Sequence, residues 1–258
     1  MNVTKGDRAL NIGVFACSHF GIYVLEYFLQ TKRKLQLIAL DSKNFHDCND
    51  RVLELAEEFD CEVLYSSELY NNINRLYDFN LDIIILGWWP YIIREPLIDV
   101  PRIGFLNIHP SYLPYGRGKF SSFWAIVEET PYGATMHFID AGIDTGKLVA
   151  QQKVEIDWED TGKTLYSKGL DACKEVFIKN IENVLNEDFK LYDQDESIAT
   201  NHYSSEFHTA SEVLLDKEYS ARQLINHIRA GTFKPYPSAY FYDNGEKYEI
   251  TVEINKCE

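Results

Sequence analysis

Four short apolar segments alternate with segments of helical character, and this alternation restricts the folds open to the chain. The apolar segments have the length of strands and cover residues 10–16, 35–40, 61–65 and 82–86. Apolar residues recur at helical spacing over 49–59, and a longer apolar stripe over 162–185 predicts a second, extended helix. Strands that alternate with helices are typical of parallel sheets. We therefore predict an α/β fold, a mostly parallel twisted sheet flanked by helices.

A fifth apolar segment ends in two polar side chains, Asn107 and His109. Strand side chains alternate between faces, so these two residues point to the same side of the predicted sheet. Pro110 cannot donate to a strand ladder, so we expect the strand to end there. Open α/β sheets bind ligands at the carboxyl ends of their strands, which makes this end a candidate site. The alternative is that the two side chains only cap the strand.

A second polar segment, residues 140–146, has the composition of a tight loop and carries the carboxylate of Asp144. Asp144 lies far from His109 in sequence, so only the tertiary fold can bring the two together. An amide, an imidazole and a carboxylate with no serine or cysteine nucleophile among them suit acyl transfer to an amine that the substrate supplies.

The charge balance restricts the partners of the chain. Its 258 residues include 25 Lys and Arg against 40 Asp and Glu, a formal net charge of −15. Such a field repels nucleic acid and anionic membranes, so we expect neither as a partner.

Composition also bears on location and metals. The chain has no apolar run long enough to span a membrane, and residues 1–8 lack an apolar signal segment. The five cysteines form no Cys-x-x-Cys pair, and the histidines lack metal-ligand spacing. We expect a cytoplasmic protein with reduced thiols and no metal.

Residues 107–118, Asn-Ile-His-Pro-Ser-Tyr-Leu-Pro-Tyr-Gly-Arg-Gly, resemble the signature of the folate-dependent formyltransferases, Asn-x-His-Pro-Ser-Leu-Leu-Pro-x-x-Arg-Gly. Residues 133–146 resemble the second segment of that family, Gly-x-Thr-x-His…Asp-x-Gly-x-Asp-Thr-Gly. The resemblance implies a Rossmann-like formyltransferase fold in which Asn107, His109 and Asp144 are the catalytic residues. Within the second segment, we interpret His137 as a structural histidine.

The resemblance also implies that 10-formyltetrahydrofolate is the formyl donor. In the family, the segment after the fourth strand and the loop before the catalytic aspartate line the pterin pocket, largely through backbone groups. Carried onto this sequence, the expected folate-binding residues are Trp88, Trp89, Pro90, Tyr91, Ile92, Ile139, Asp140 and Ala141.

Contacts with the amine acceptor are less constrained by the motifs. Residues 17–21 follow the first strand at a helix start, where backbone amides can bind phosphate. The signature departs from the family at Tyr112, usually Leu, and at 118–122, so the departures concern the substrate side. Aromatic rings could stack on a nucleotide base, with ordinary packing as the alternative. The candidate substrate residues are Ser18, Tyr112, Arg117, Phe120 and Tyr236.

Two domains are predicted, a catalytic domain over 1–190 and a small C-terminal subdomain over 191–258. The subdomain begins with a polar linker that extends to residue 218. It continues with a helix over 219–230, ended by Gly231. Two strands follow, over 239–242 and 248–254, and residues 243–246 between them predict a β-hairpin. A hairpin edge is a natural dimerisation surface, and some members of the family pair in this way, so we expect a homodimer.

The family offers three main acceptors. The acidic charge and the absence of a barrel domain argue against methionyl-tRNA, and the C-terminal hairpin argues against glycinamide ribonucleotide. We therefore predict N-formylation of a nucleotide-linked amino-deoxysugar that feeds surface polysaccharides or other glycans, with the sugar, its nucleotide and the amino position left open. The alternatives are a methionyl-tRNA or glycinamide ribonucleotide formyltransferase, a formyl-folate deformylase, which is a hydrolase, and a non-catalytic binding module.

Overall fold

The computed structural model describes residues 9–41, 49–234, 236 and 238–257. The expectation of no signal segment over 1–8 concerns residues outside these ranges. The described chain forms two compact units. Unit 1 contains the described residues up to 108 with 138–141 and 182–188, and unit 2 contains 109–137, 142–181 and the described residues from 189 onward. The functional division at residue 190 stays a prediction.

The first five strands are parallel to one another. They are β1 (Ile12–Ala16), β2 (Leu37–Leu40), β3 (Glu62–Tyr65), β4 (Ile83–Gly87) and β5 (Gly104–His109). Each of the first four lies within two residues of the apolar segment that predicted it. The nearly continuous apolar sequences of β1, β2 and β4 match burial on both faces, as parallel sheets require, whereas β3 lies at the edge of the sheet and ends in the exposed Tyr65.

The chain continues with β6 (Arg117–Gly118), β7 (Tyr132–Phe138) and β8 (Leu148–Val154). The main sheet has seven strands in the order β3-β2-β1-β4-β5-β7-β8, and β8 is antiparallel to β7. The mostly parallel sheet is thus confirmed. Its strand order reverses between β1 and β4, so the carboxyl ends of these two strands flank the crevice where such sheets bind ligands.

Three helices belong to unit 1, α1 (Ser18–Gln30), α2 (Asn49–Glu57) and α3 (Ile73–Asp78). The start of α1 approaches the end of β4 very closely, because Gly21 and Gly87 face each other. A Cβ atom placed on Gly87 would lie 2.5 Å from the Cα atom of Gly21. An aromatic cluster fills the core beside this contact, with the ring of Phe15 5.1 Å from Trp89 and 5.5 Å from Phe105.

The remaining helices are α4 (Ser121–Val127), α5 (Gly162–Leu185), α6 (Ser204–Ala210) and α7 (Ala221–Ala230). The bounds of α5 are those predicted from its apolar stripe. Unit 2 has its own apolar core, in which Phe123, Ile126, Tyr132 and Leu165 are buried. None of the helices in the described ranges is long and apolar enough to cross a membrane.

The C-terminal part differs from expectation in two places. The linker contains β9 (Asn201–His202), which pairs with the distant β6, and the helix α6. The helix begins with a local cap, in which the N–H of Tyr203 donates to the carboxylate of Glu206. The hairpin of β10 (Ala239–Asp243) and β11 (Glu246–Ile250) forms as predicted, but its second strand begins and ends earlier. Asn244 and Gly245, both with positive φ, close a two-residue turn, so pairing starts at once with Asp243 opposite Glu246.

Candidate active site

The end of β5 presents the amide and the imidazole that the sequence placed on one face. Asn107 lies opposite Leu86 of β4 and is half-buried, and the intervening Ile108 is fully buried. The carbonyl of Ile108 accepts a hydrogen bond from Nε1 of Trp88 at 3.1 Å. The strand ends at His109, as Pro110 predicts. The strand end is therefore held in place from the β4 side.

His109 is nearly buried, with 7% of its surface exposed. Its Nε2 atom lies 3.0 Å from the carbonyl oxygen of Gly116. A carbonyl can only accept, so we assign a proton to Nε2. The other ring nitrogen, Nδ1, lies 3.7 Å from Oδ2 of Asp144. The fold thus brings together the imidazole and the carboxylate that are distant in sequence.

The carboxylate of Asp144 is surrounded by donors. Oδ2 accepts a hydrogen bond from the backbone N–H of Gly118 at 2.9 Å, and Oδ1 lies 3.6 Å from Nε2 of His137. His137 is fully buried in β7, so the histidine interpreted as structural faces the carboxylate directly. The Gly-x-Thr-x-His pattern marked His137 in the sequence, but not its contact with Asp144.

These neighbours set the protonation of Asp144. Burial alone raises the pKa of the carboxyl group, but the fields of His109 and His137 and the N–H of Gly118 outweigh burial and hold the pKa below its usual value. Asp144 is therefore a carboxylate at neutral pH. A buried negative charge between two imidazoles can hold or relay a proton at the strand end.

Arg117, a predicted substrate residue, is 2% exposed. Its guanidinium donates to Oε1 of Gln194 at 2.8 Å and to both carboxylate oxygens of Glu196 at 2.6 and 2.9 Å. Contact with substrate stays a prediction, while its hydrogen bonds tie it to the protein.

The residues predicted to bind folate all lie in unit 1. Trp89 is buried, and Tyr91 and Ile139 pack against the same apolar core. The hydroxyl of Tyr91 donates to Asp41 at 2.7 Å. Trp88 stacks on Phe20, and Pro90 is half-buried. Ile92, Asp140 and Ala141 are exposed. The structure thus gathers Trp89, Tyr91 and Ile139 on one core; their contact with folate stays a prediction.

The other candidate substrate residues are spread over the chain. Ser18 begins α1 with φ of 56°, and its buried Oγ atom has no hydrogen-bond partner among the described residues. Tyr112 is half-buried after β5. Phe120 stacks on Phe207 with ring centroids 4.0 Å apart, and Tyr236 is exposed. Within the described ranges, no group of three or more His, Cys, Asp or Glu could hold a metal ion.

The fold and this strand end define an α/β protein with a histidine–aspartate pair at the carboxyl end of a strand of its main sheet. Residues 36–181 match the family model described as Formyl transferase, and residues 206–256 match a model described as N-formyltransferase dimerization C-terminal domain. The first match covers more than half of the chain. The chain belongs to the formyl transferase family, which confirms the resemblance seen in the sequence.

Among curated relatives, methionyl-tRNA formyltransferase of Lachnospira eligens is 30% identical over 179 residues, which are 69% of this chain and 55% of that protein. The chain thus spans about half the length of this relative.

Two solved structures share the fold over nearly all of the chain. A 4-N formyltransferase from Francisella tularensis has a TM-score of 0.80 at 24% identity, covering 96% of this chain and 99% of that one. An N-formyltransferase from Helicobacter canadensis, in complex with folinic acid and dTDP-3-aminofucose, has a TM-score of 0.75 at 22% identity, covering 92% and 85%.

Proposed function

We propose that this protein transfers a formyl group from 10-formyltetrahydrofolate to the amine of a nucleotide-linked amino-deoxysugar. The observation that carries the proposal is the geometry at the end of β5. The carboxylate of Asp144 faces the imidazole of His109, and Asn107 precedes His109 by two residues on the same strand. Membership of the formyl transferase family supports the reaction type.

Two observations support the amino-sugar acceptor. The likeness to the Helicobacter canadensis N-formyltransferase covers 92% of the chain, and that protein is in complex with dTDP-3-aminofucose. The net charge of −15 opposes binding of tRNA. Methionyl-tRNA remains the second candidate because of the relative from Lachnospira eligens.

In the proposed reaction, the amine nitrogen attacks the formyl carbon and a tetrahedral intermediate forms. Its oxygen carries the negative charge. We assign the side-chain amide of Asn107 as the donor to this oxygen, because the amide projects from the strand end on the same face as His109.

The attacking amine must lose a proton, and N10 of the folate must gain one as its bond to the formyl carbon breaks. Nδ1 of His109 is the atom we assign to this transfer, since Nε2 is engaged with Gly116 and a proton on Nδ1 would face the carboxylate of Asp144. The reaction needs no covalent enzyme intermediate, and positioning of the two substrates supplies much of the remaining acceleration.

The binding roles are proposals as well. We assign the pterin to the aromatic and loop residues predicted above, where Trp89, Tyr91 and Ile139 share one apolar core. The buried hydroxyl of Ser18 suits a polar group of the nucleotide sugar, and the stacked pair of Phe120 and Phe207 offers an aromatic surface. The match to a dimerization domain over residues 206–256 supports a homodimer formed through the C-terminal part. We also propose a cytoplasmic location.

The test is a turnover assay with 10-formyltetrahydrofolate and a panel of acceptors, which are methionyl-tRNA and UDP-, dTDP- and GDP-linked 3- and 4-amino-6-deoxysugars. Release of tetrahydrofolate and the mass of the sugar are followed together. A gain of one formyl group on one sugar establishes the activity and the acceptor. Release of formate with no sugar product points to a deformylase, and formylation of methionyl-tRNA alone overturns the assignment of the acceptor.

A further inference from the structure

Residues 192–202 connect the two segments that the family models match, so neither match includes them. Within unit 2, this connecting segment contacts the chain in two places, one beside the loop of Asp144 and one at β6. Tyr192 and Leu148 exchange backbone hydrogen bonds at 2.8 and 2.9 Å, immediately after the loop of Asp144. At the other end of the connecting segment, β9 pairs with β6, the short strand that follows His109 in the chain.

Gln194 binds the loop of Asp144 through its side-chain amide. Nε2 donates to the backbone carbonyls of Asp144 and Gly146, both at 2.7 Å. Oε1 accepts from Nε and Nη2 of Arg117 at 3.2 and 2.8 Å. Carbonyls only accept and a guanidinium only donates, so these partners determine the orientation of the amide.

The loop needs such a restraint. Asp144 has φ of 52°, a left-handed conformation that residues other than glycine adopt infrequently. Such conformations persist where the surrounding structure holds them. Two carbonyl dipoles also converge on one amide group, and without Gln194 they would lose their donor.

Arg117 holds the oxygen end of the Gln194 amide. It is buried, and Glu196 and Gln194 together fix the plane of its guanidinium. The next residue, Gly118, donates its N–H to the carboxylate of Asp144. The side chain of Asp144 is therefore held by β6 directly, and its main chain is held by the Arg117–Gln194 pair.

We propose that Gln194 is a positioning residue, which fixes the main chain of Asp144 so that the carboxylate faces Nδ1 of His109. Arg117 orients the amide of Gln194 by donating to its Oε1 atom. The kinetic part of this inference rests on the proposed function, whereas the structural part does not.

The kinetic test compares Gln194→Ala and Gln194→Glu with the matched variant Gln152→Ala. Gln152 is a glutamine of β8 whose amide donates to the exposed Glu175. We expect kcat to fall roughly 10- to 100-fold in both Gln194 variants, since small displacements of catalytic groups cost this much. KM for the formyl donor should stay within about twofold, and Gln152→Ala should match the wild type.

Gln194→Glu separates two roles of this side chain. Its carboxylate still accepts from Arg117 but cannot donate to the carbonyls of Asp144 and Gly146. If the Arg117 contact alone matters, Gln194→Glu recovers wild-type kcat, and the inference is overturned.

Hydrogen–deuterium exchange of peptides covering residues 142–147 tests the restraint without any substrate. Exchange in this loop should accelerate in Gln194→Ala and in Gln194→Glu but not in Gln152→Ala, with thermal unfolding showing that each variant is folded. Unchanged exchange overturns the inference. Faster exchange in a protein with no formyl transfer retains the restraint and rejects the proposed function instead.

Discussion

Nδ1 of His109 lies 3.7 Å from Oδ2 of Asp144. Asp144→Asn keeps the shape of the side chain but removes the charge that faces the imidazole. We expect turnover to fall at least about a hundredfold, which is the usual contribution of a positioned acid–base group. Steady-state kinetics on the folded variant test this. Asp171→Asn, which alters an exposed aspartate of α5 paired with Lys174, is the control and should retain wild-type turnover.

Asn107 is the proposed donor to the oxygen of the tetrahedral intermediate. Asn107→Ala removes that donor, so kcat should fall by about 10²- to 10³-fold, equivalent to about 2.7–4 kcal/mol in the barrier. Asn71→Ala changes an exposed asparagine outside the site and should behave like the wild type. A kcat for Asn107→Ala within about threefold of wild type would reject this role.

The lowered pKa of Asp144 predicts a dependence of stability on pH. The groups that face the carboxylate are His109, His137, Lys119 and the N–H of Gly118. Because the unfolded chain binds this proton first, the stabilisation is present above the unfolded pKa of about 3.9 and is lost as the pH falls through the lower folded value.

Urea unfolding of the wild type and Asp144→Asn, measured between about pH 5 and pH 3, checks the sign. The stability advantage of the wild type over the variant should shrink with acidification. An advantage that stays constant or grows would contradict the lowered pKa.

Ile92 and Ile178 offer a matched pair for the folate pocket, because each side chain is 51% exposed. Ile92 follows the aromatic segment after β4, whereas Ile178 lies on α5. Ile92→Ala should weaken binding of the formyl donor by about 1 kcal/mol, roughly a fivefold rise in Kd. Isothermal titration with a folate should show no change for Ile178→Ala. Equal Kd values for the folate in both variants would show that the side chain of Ile92 does not contribute to folate binding.

The contact between α1 and β4 predicts that alanine at Gly87 lowers the free energy of unfolding more than alanine at Gly13. Gly87→Ala places a Cβ atom 2.5 Å from the Cα atom of Gly21, a backbone atom that cannot move alone. We expect a loss of about 1–3 kcal/mol in the free energy of unfolding. A Cβ atom on Gly13 would first meet the side-chain atom Cγ1 of Ile84 at 3.2 Å, a longer approach to a side chain and not to backbone, so Gly13→Ala should cost less. The reverse order in urea unfolding would be inconsistent with this packing.

Local signals account for the elements that were predicted well. The strands β1, β2 and β4 are apolar and buried on both faces, α5 has an uninterrupted apolar stripe, and Asn244-Gly245 specifies a two-residue turn. Each signal lies within the element it predicts. The strand β9 was missed because it takes its pairing from β6, which lies far away in the sequence.

The features of the candidate site also fall into those that the sequence predicts and those that only the tertiary structure shows. Strand alternation and Pro110 determined from the sequence alone that Asn107 and His109 share a face at a strand end, and the motifs determined the family. The sequence could not determine that His137 faces Asp144, that Arg117 is buried on Gln194 and Glu196, or that a polar connecting segment holds the Asp144 loop. Those contacts join residues distant in the chain. Only the tertiary structure decided them, because the free energy of folding the whole chain offsets the entropy lost in bringing such residues together.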